Sequence, residues 1–66
     1  MRIKIKIAWK RETIWLKVRP WIRVNAALKI ADMSNYRMVM RERNGARLII
    51  WWETQLEQWD ILVVRR

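Results

Sequence analysis

Sixty-six residues make a single domain, residues 1–66, and a chain this short buries only about 60% of its unfolded surface, which leaves little room for an enclosed active site. The absence of Cys and His excludes disulfides, thiol nucleophiles, imidazole bases and the common zinc ligands together, so neither a metal nor a cofactor is expected. Fifteen Lys and Arg against six Asp and Glu give +9, a charge that suits an anionic partner or serves to disperse a chain that is 53% hydrophobic.

The charge is uneven. Residues 1–23 hold eight basic side chains and one acid, Glu12, whereas residues 48–64 hold Glu53, Glu57 and Asp60 with no Lys or Arg. The longest apolar run is the five-residue LIIWW, and MRIKIKIAWK alternates charge with apolar side chains. Neither pattern is that of a membrane span or a signal-peptide core, so a soluble, cytoplasmic protein is expected.

Strict alternation in RIKIKIA makes a half-buried strand, with Met1, Ile3, Ile5 and Ile7 on one side and Arg2, Lys4 and Lys6 on the other. ETIWLKV repeats the pattern: Ile14, Leu16 and Val18 face in, Trp15 and Lys17 face out. The short polar WKRE between them predicts a hairpin in which Lys4 lies across from Trp15, close enough for a cation-π pair.

Pro20 stops the second strand and the period changes. Val24, Ala27, Leu28 and Ala31 fall at i, i+3, i+4 and i+7, which predicts a helix over residues 23–33 with a narrow apolar stripe and an exit at Ser34-Asn35. Arg23 at its start supplies no capping hydroxyl or carboxylate.

YRMVMRERNGARLIIWW predicts a second hairpin, because Asn44-Gly45 between two apolar runs is the signature of a type I′ turn. Alternation puts Tyr36, Met38 and Met40 inward and Arg37, Val39 and Arg41 outward. Beyond the turn, Leu48, Ile50 and Trp52 face the core while Ile49 and Trp51 face out. ETQLEQW is a loop or a single helical turn, and DILVV is the last strand.

The order β-β-α-β-β-β, with Met1-x-Ile3-x-Ile5, Thr13-Ile14-x-Leu16-x-Val18-x-Pro20 and Asp60-Ile61-Leu62-Val63-Val64, resembles the β-grasp fold of ubiquitin-like proteins over nearly the whole chain. It looks most similar to the compact ubiquitin-like subunits associated with bacterial type VII secretion. The ending Val64-Arg65-Arg66 has no Gly-Gly, which argues against conjugation through the C-terminus. The resemblance implies an α+β architecture with one helix packed on a mixed sheet, the first and last strands parallel in the middle, and the opposite sheet face open. It also implies a partner patch near Trp9, Val39 and Val63.

The expected function is therefore a non-enzymatic protein-interaction module. Its open face interleaves Trp9, Trp15, Val39, Trp51 and Val63 with Lys4, Lys6, Arg37 and Arg41, since Trp and Arg are the residue types enriched at binding hot spots. An acidic protein is the expected partner, with a homodimer through the same face as a further expectation. Trp21 and Trp59 are expected to plug the open edges of the core.

Single-stranded nucleic-acid binding is the alternative, since a basic sheet bearing indoles offers stacking platforms. A further reading is a designed or laboratory-evolved chain: six Trp without Phe, His or Cys form an uneven alphabet.

Overall fold

The structure is a computed structural model and describes residues 1–33 and 35–65. The helix exit placed at Ser34 and the ending at Arg66 fall partly outside them. The elements are β1 (Arg2–Ile7), β2 (Thr13–Lys17), α1 (Val24–Ile30), β3 (Met38–Arg43), β4 (Ala46–Ile49) and β5 (Ile61–Arg65). Five strands form one mixed sheet in the order β2-β1-β5-β3-β4, with β1 and β5 parallel at its centre and the other pairs antiparallel.

One sheet face is dry. Ile3, Ile5, Ile7, Val39, Leu62 and Val64 alternate along their strands and pack with Val24, Ala27 and Leu28 of α1. That alternation is the strand period of two meeting the helical period of 3.6. Ile22 and Leu56, in the segments flanking the helix and preceding β5, are fully buried and close the core at one end.

The helix start compensates for its missing cap through the backbone. Arg23 makes no side-chain cap. Instead Val24 N donates to Thr54 O at 3.0 Å and Asn25 N to Trp52 O at 2.9 Å. The loop after β4 thus satisfies the first-turn donors that a Ser or Asp otherwise takes. In return Leu56 N donates to Ile22 O at 2.8 Å, which stitches the two loops together.

At the other end the helix stops earlier than the sequence suggests. Asp32 adopts φ 57°, and Met33 N reaches back to Leu28 O at 2.8 Å, a Schellman closure. Met33 is buried by that reversal, so the chain leaves the helix at Asp32.

Asn44 and Gly45 have φ 51° and 81°, both positive as a type I′ turn requires. Two other turns are less ordinary. Ile22 N bonds to Arg19 O, and Asp60 N bonds to Glu57 O, with Trp21 (φ 59°) and Trp59 (φ 68°) at the third position. That is the place where a type II turn favours glycine.

The pleat of β3 is offset by one residue from the expectation. Val39 is buried and pairs with Val64, Arg41 faces the same side opposite Leu62, and Met38 and Met40 lie on the open face. Met38, Val39 and Met40 are all apolar, so alternation permits either register. The polar residues decide it, because only this one brings Arg41 to the buried Asp60.

Candidate protein-interaction surface

Both sheet edges contribute to the open face. The pairing sets Trp15, Lys4, Ile61, Glu42 and Arg47 in one row across the five strands, and Thr13, Lys6, Val63, Met40 and Ile49 in the next. These residues share a face because directly opposed strand positions point the same way.

The middle of this face is roofed. Lys6 Nζ bonds to Glu42 Oε2 at 2.9 Å across β5, and Arg47 Nε bonds to Glu42 Oε1 at 3.1 Å. Lys6 and Met40 flank Val63 on the neighbouring strands, and Val63 has no exposed surface. Two cations on one carboxylate hold the Glu42 pKa below its ordinary value, chiefly through the hydrogen bond from Lys6 and then that from Arg47.

Arg41 and Asp60 form a second polar unit at the sheet end, on the helix-facing side. Asp60 is 4% exposed. Its Oδ2 accepts from Arg41 Nη2 at 3.0 Å and from Glu57 N at 2.7 Å, and its Oδ1 accepts from Arg43 Nη2 at 3.1 Å. Arg43 also pairs with Glu57 at 3.0 Å, and Arg41 donates to Gln55 O at 2.9 Å. The Asp60 carboxylate raises the pKa of the Arg43 guanidinium, first by hydrogen bonding and then by charge. The unit is an anchor: it ties β3 to the loop before β5.

The exposed part of the face lies toward β2. Trp15 and Trp59 meet at a centroid distance of 6.3 Å with planes at 84°, and the Lys4 ammonium sits 5.1 Å from the Trp15 ring centroid. Trp59 N donates to Arg2 O at 2.8 Å, and Arg2 N donates to Gln58 Oε1 at 3.0 Å, so β1 fixes the turn that carries Trp59. A shallow groove of about 350 Å³ runs between Arg2, Trp15, Leu16, Lys17 and Trp59. Among the described residues Arg2, Lys4 and Lys17 make no ion pair, so their charge is available to a partner.

The nine residues expected to form one partner site are divided by the structure. Lys4 and Trp15 belong to the exposed patch. Lys6 and Val63 lie on the same face but are engaged in, or covered by, the Glu42 roof. Val39 and Arg41 are corrected to the helix-facing side, the first in the core and the second on Asp60.

Trp9 is half exposed beyond the end of β1 and pairs with Tyr36 at 6.0 Å. Arg37 is exposed just before β3 and donates its N–H to Arg65 O. Trp51 is 76% exposed past the end of β4, at the opposite sheet edge from Trp15.

Trp21 and Trp59 also differ from expectation. They are 73% and 59% exposed and plug nothing, because the positive φ of each turn throws the side chain outward while Ile22 and Leu56 fill the core instead. Trp59 is the patch residue that sequence reasoning missed, whereas Arg2 and Lys17 have the outward parity expected of them. The available signal was the string EQWD, in which the hydrogen-bonding capacity of Asp60 favours a turn and so sets Trp59 at its exposed corner.

Among the described residues no three His, Cys, Asp or Glu side chains gather as a metal site, and no helix is long and apolar enough to cross a membrane. Searches of protein-family models, of curated proteins and of solved structures found no match to the chain.

Proposed function

We propose that the chain is a ubiquitin-like β-grasp domain acting as a non-enzymatic protein-interaction module, and that the groove between Trp15 and Trp59 receives an acidic segment of a partner protein. The observation that carries this reading is the local composition: two exposed indoles in contact, rimmed by Arg2, Lys4 and Lys17, none of which makes an ion pair among the described residues. Aromatic anchors supply contact area at a small cost in side-chain entropy, and a cationic rim selects acidic sequences and speeds encounter.

Single-stranded nucleic-acid binding draws on the same residues, and the ring geometry argues against it. Base stacking needs a free aromatic face, whereas Lys4 lies over Trp15 and the two indoles meet edge to face. A fluorescence titration with a mixed-sequence single-stranded oligonucleotide separates the readings. The proposal expects weak binding that vanishes at physiological salt; micromolar binding with indole quenching that persists there would support nucleic acid instead.

A further inference from the structure

The edge strand β4 differs from the rest of the surface. Leu48, Ile49 and Trp51 are 69%, 65% and 76% exposed within four consecutive positions. Native sheets guard such edges with charged side chains, lysine above all, with proline or with a bulge. The β4 sequence ARLI contains neither lysine nor proline. The charged side chains of β4 and of the β3 residues paired with it are engaged: Arg47 with Glu42, Arg41 with Asp60, and Arg43 with Asp60 and Glu57. An acidic partner is drawn to the free cations of the Trp15 patch, while a second copy of this +9 chain meets the least repulsion along β4.

The hydrogen-bond parity of β4 defines how a second copy fits. Ile50 N donates to Val39 O at 3.0 Å, and the two-residue turn closes on Arg43 and Ala46. Antiparallel bonding alternates, so Ala46, Leu48 and Ile50 turn their backbone groups toward β3, and Arg47 and Ile49 turn theirs to the free edge.

Beyond Ile49 the edge ends. Trp51 N donates to Thr54 Oγ1 at 3.2 Å, and Trp51 O accepts from Thr54 N at 3.1 Å. The free backbone groups are therefore two N–H and two C=O. A twofold axis through Leu48 satisfies all four, because Arg47 of one copy then faces Ile49 of the other, twice.

We propose that β4 pairs antiparallel with β4 of a second copy about a twofold axis at Leu48, joining two five-stranded sheets into one of ten. Leu48 then meets its own mate in the close, non-hydrogen-bonded position, beside a shallow groove of about 230 Å³ lined by Arg41, Arg43, Ala46, Ile49 and Ile50. Trp51 comes opposite Gly45, which offers no side chain to obstruct the indole. Isologous pairing closes on itself and leaves the Trp15 groove, on the far edge, open. Four-residue strands bury less than a standard interface of about 800 Å² per partner, so the dimer is weak, with Kd on the order of 100 μM.

The test is sedimentation equilibrium over a wide concentration range at low and high salt, combined with single-cysteine variants of this Cys-free chain. The expected result is a monomer–dimer equilibrium that strengthens with salt, as screening relieves repulsion between two cationic chains. Leu48→Cys should oxidise to a covalent dimer. Ala46→Cys should not, since the twofold sets that position roughly 14 Å from its mate.

Ile49→Pro removes an outward N–H that bonds nothing within the monomer. It should weaken the dimer at least tenfold with an unchanged circular dichroism spectrum. Leu48→Lys places like charges on the axis and should act in the same direction whatever the fate of the proline variant. A monomer at all concentrations, mass growing beyond a dimer, equal cross-linking of the two cysteine variants, or dimerisation of Leu48→Lys with the parental constant would each overturn the proposal.

Discussion

Trp15 and Trp59 are 44 residues apart in sequence yet meet edge to face at 6.3 Å, because β1 lies between them and holds both. Each ring remains more than half exposed. An aromatic pair of this kind contributes about 0.5–1.5 kcal/mol beyond area burial, and with the buried part of each indole added, Trp15→Ala and Trp59→Ala should each cost about 1–3 kcal/mol in urea unfolding. Both should abolish partner binding. A loss of several kcal/mol from either would mean that the pair holds the fold rather than a partner.

Asp60 is the acceptor for two arginines and one backbone N–H. Asp60→Ala leaves the largely buried guanidinium of Arg41 without its counter-charge and should destabilise by about 3–5 kcal/mol. Replacing Arg41 and Asp60 together by leucine should recover much of that loss, which a double-mutant cycle on urea midpoints measures. Single-variant costs that simply add in the double variant would remove the ion pair from the account.

The Glu42 bridge has a pH signature. Its pKa is lowered in the folded state, so its contribution is full above the ordinary glutamate value of about 4.3 and is lost as pH falls through the lower folded value. The protein should therefore be more stable than Glu42→Gln at neutral pH and converge with it in acid. Urea midpoints measured between pH 2 and 7 follow this; a difference independent of pH would show that the carboxylate charge is not what matters.

Trp21 occupies a glycine position with φ 59° and remains 73% exposed. A left-handed backbone costs a bulky L residue about 1–2 kcal/mol, partly offset by the greater unfolded-state entropy of glycine. Trp21→Gly should thus leave stability unchanged or raise it by up to about 1 kcal/mol, measured by thermal unfolding. A clear loss would reveal packing by the indole that its exposure conceals.

The element order and the direction of the stretch LIIWWE were legible in the sequence because they rest on strong local signals. Alternation in β1 and β2, Pro20 and Asn44-Gly45 each admit few alternatives, and Trp52 packs on the core while Trp51 points away. Leu48 has the inward parity expected of it but is exposed on the edge strand β4, so parity alone does not bury it.

The run Met38-Val39-Met40 was ambiguous for a physical reason: three apolar residues in a row satisfy both registers, and the tie is broken by Asp60, far along the chain. The loops were harder still. Whether a tryptophan enters the core or leaves it at a turn depends on a positive φ that no apolar pattern encodes, and this reversed Trp21 and Trp59 together.

The most direct test of the Trp15–Trp59 groove as a protein-binding site is selection of a random peptide library displayed on phage, followed by direct binding measurements against the parent and the Trp15→Ala and Trp59→Ala variants. The account predicts enriched peptides that combine acidic residues with an apolar anchor and lose binding to both variants. Peptides without acidic bias, or peptides that bind the variants as well as the parent, would contradict it.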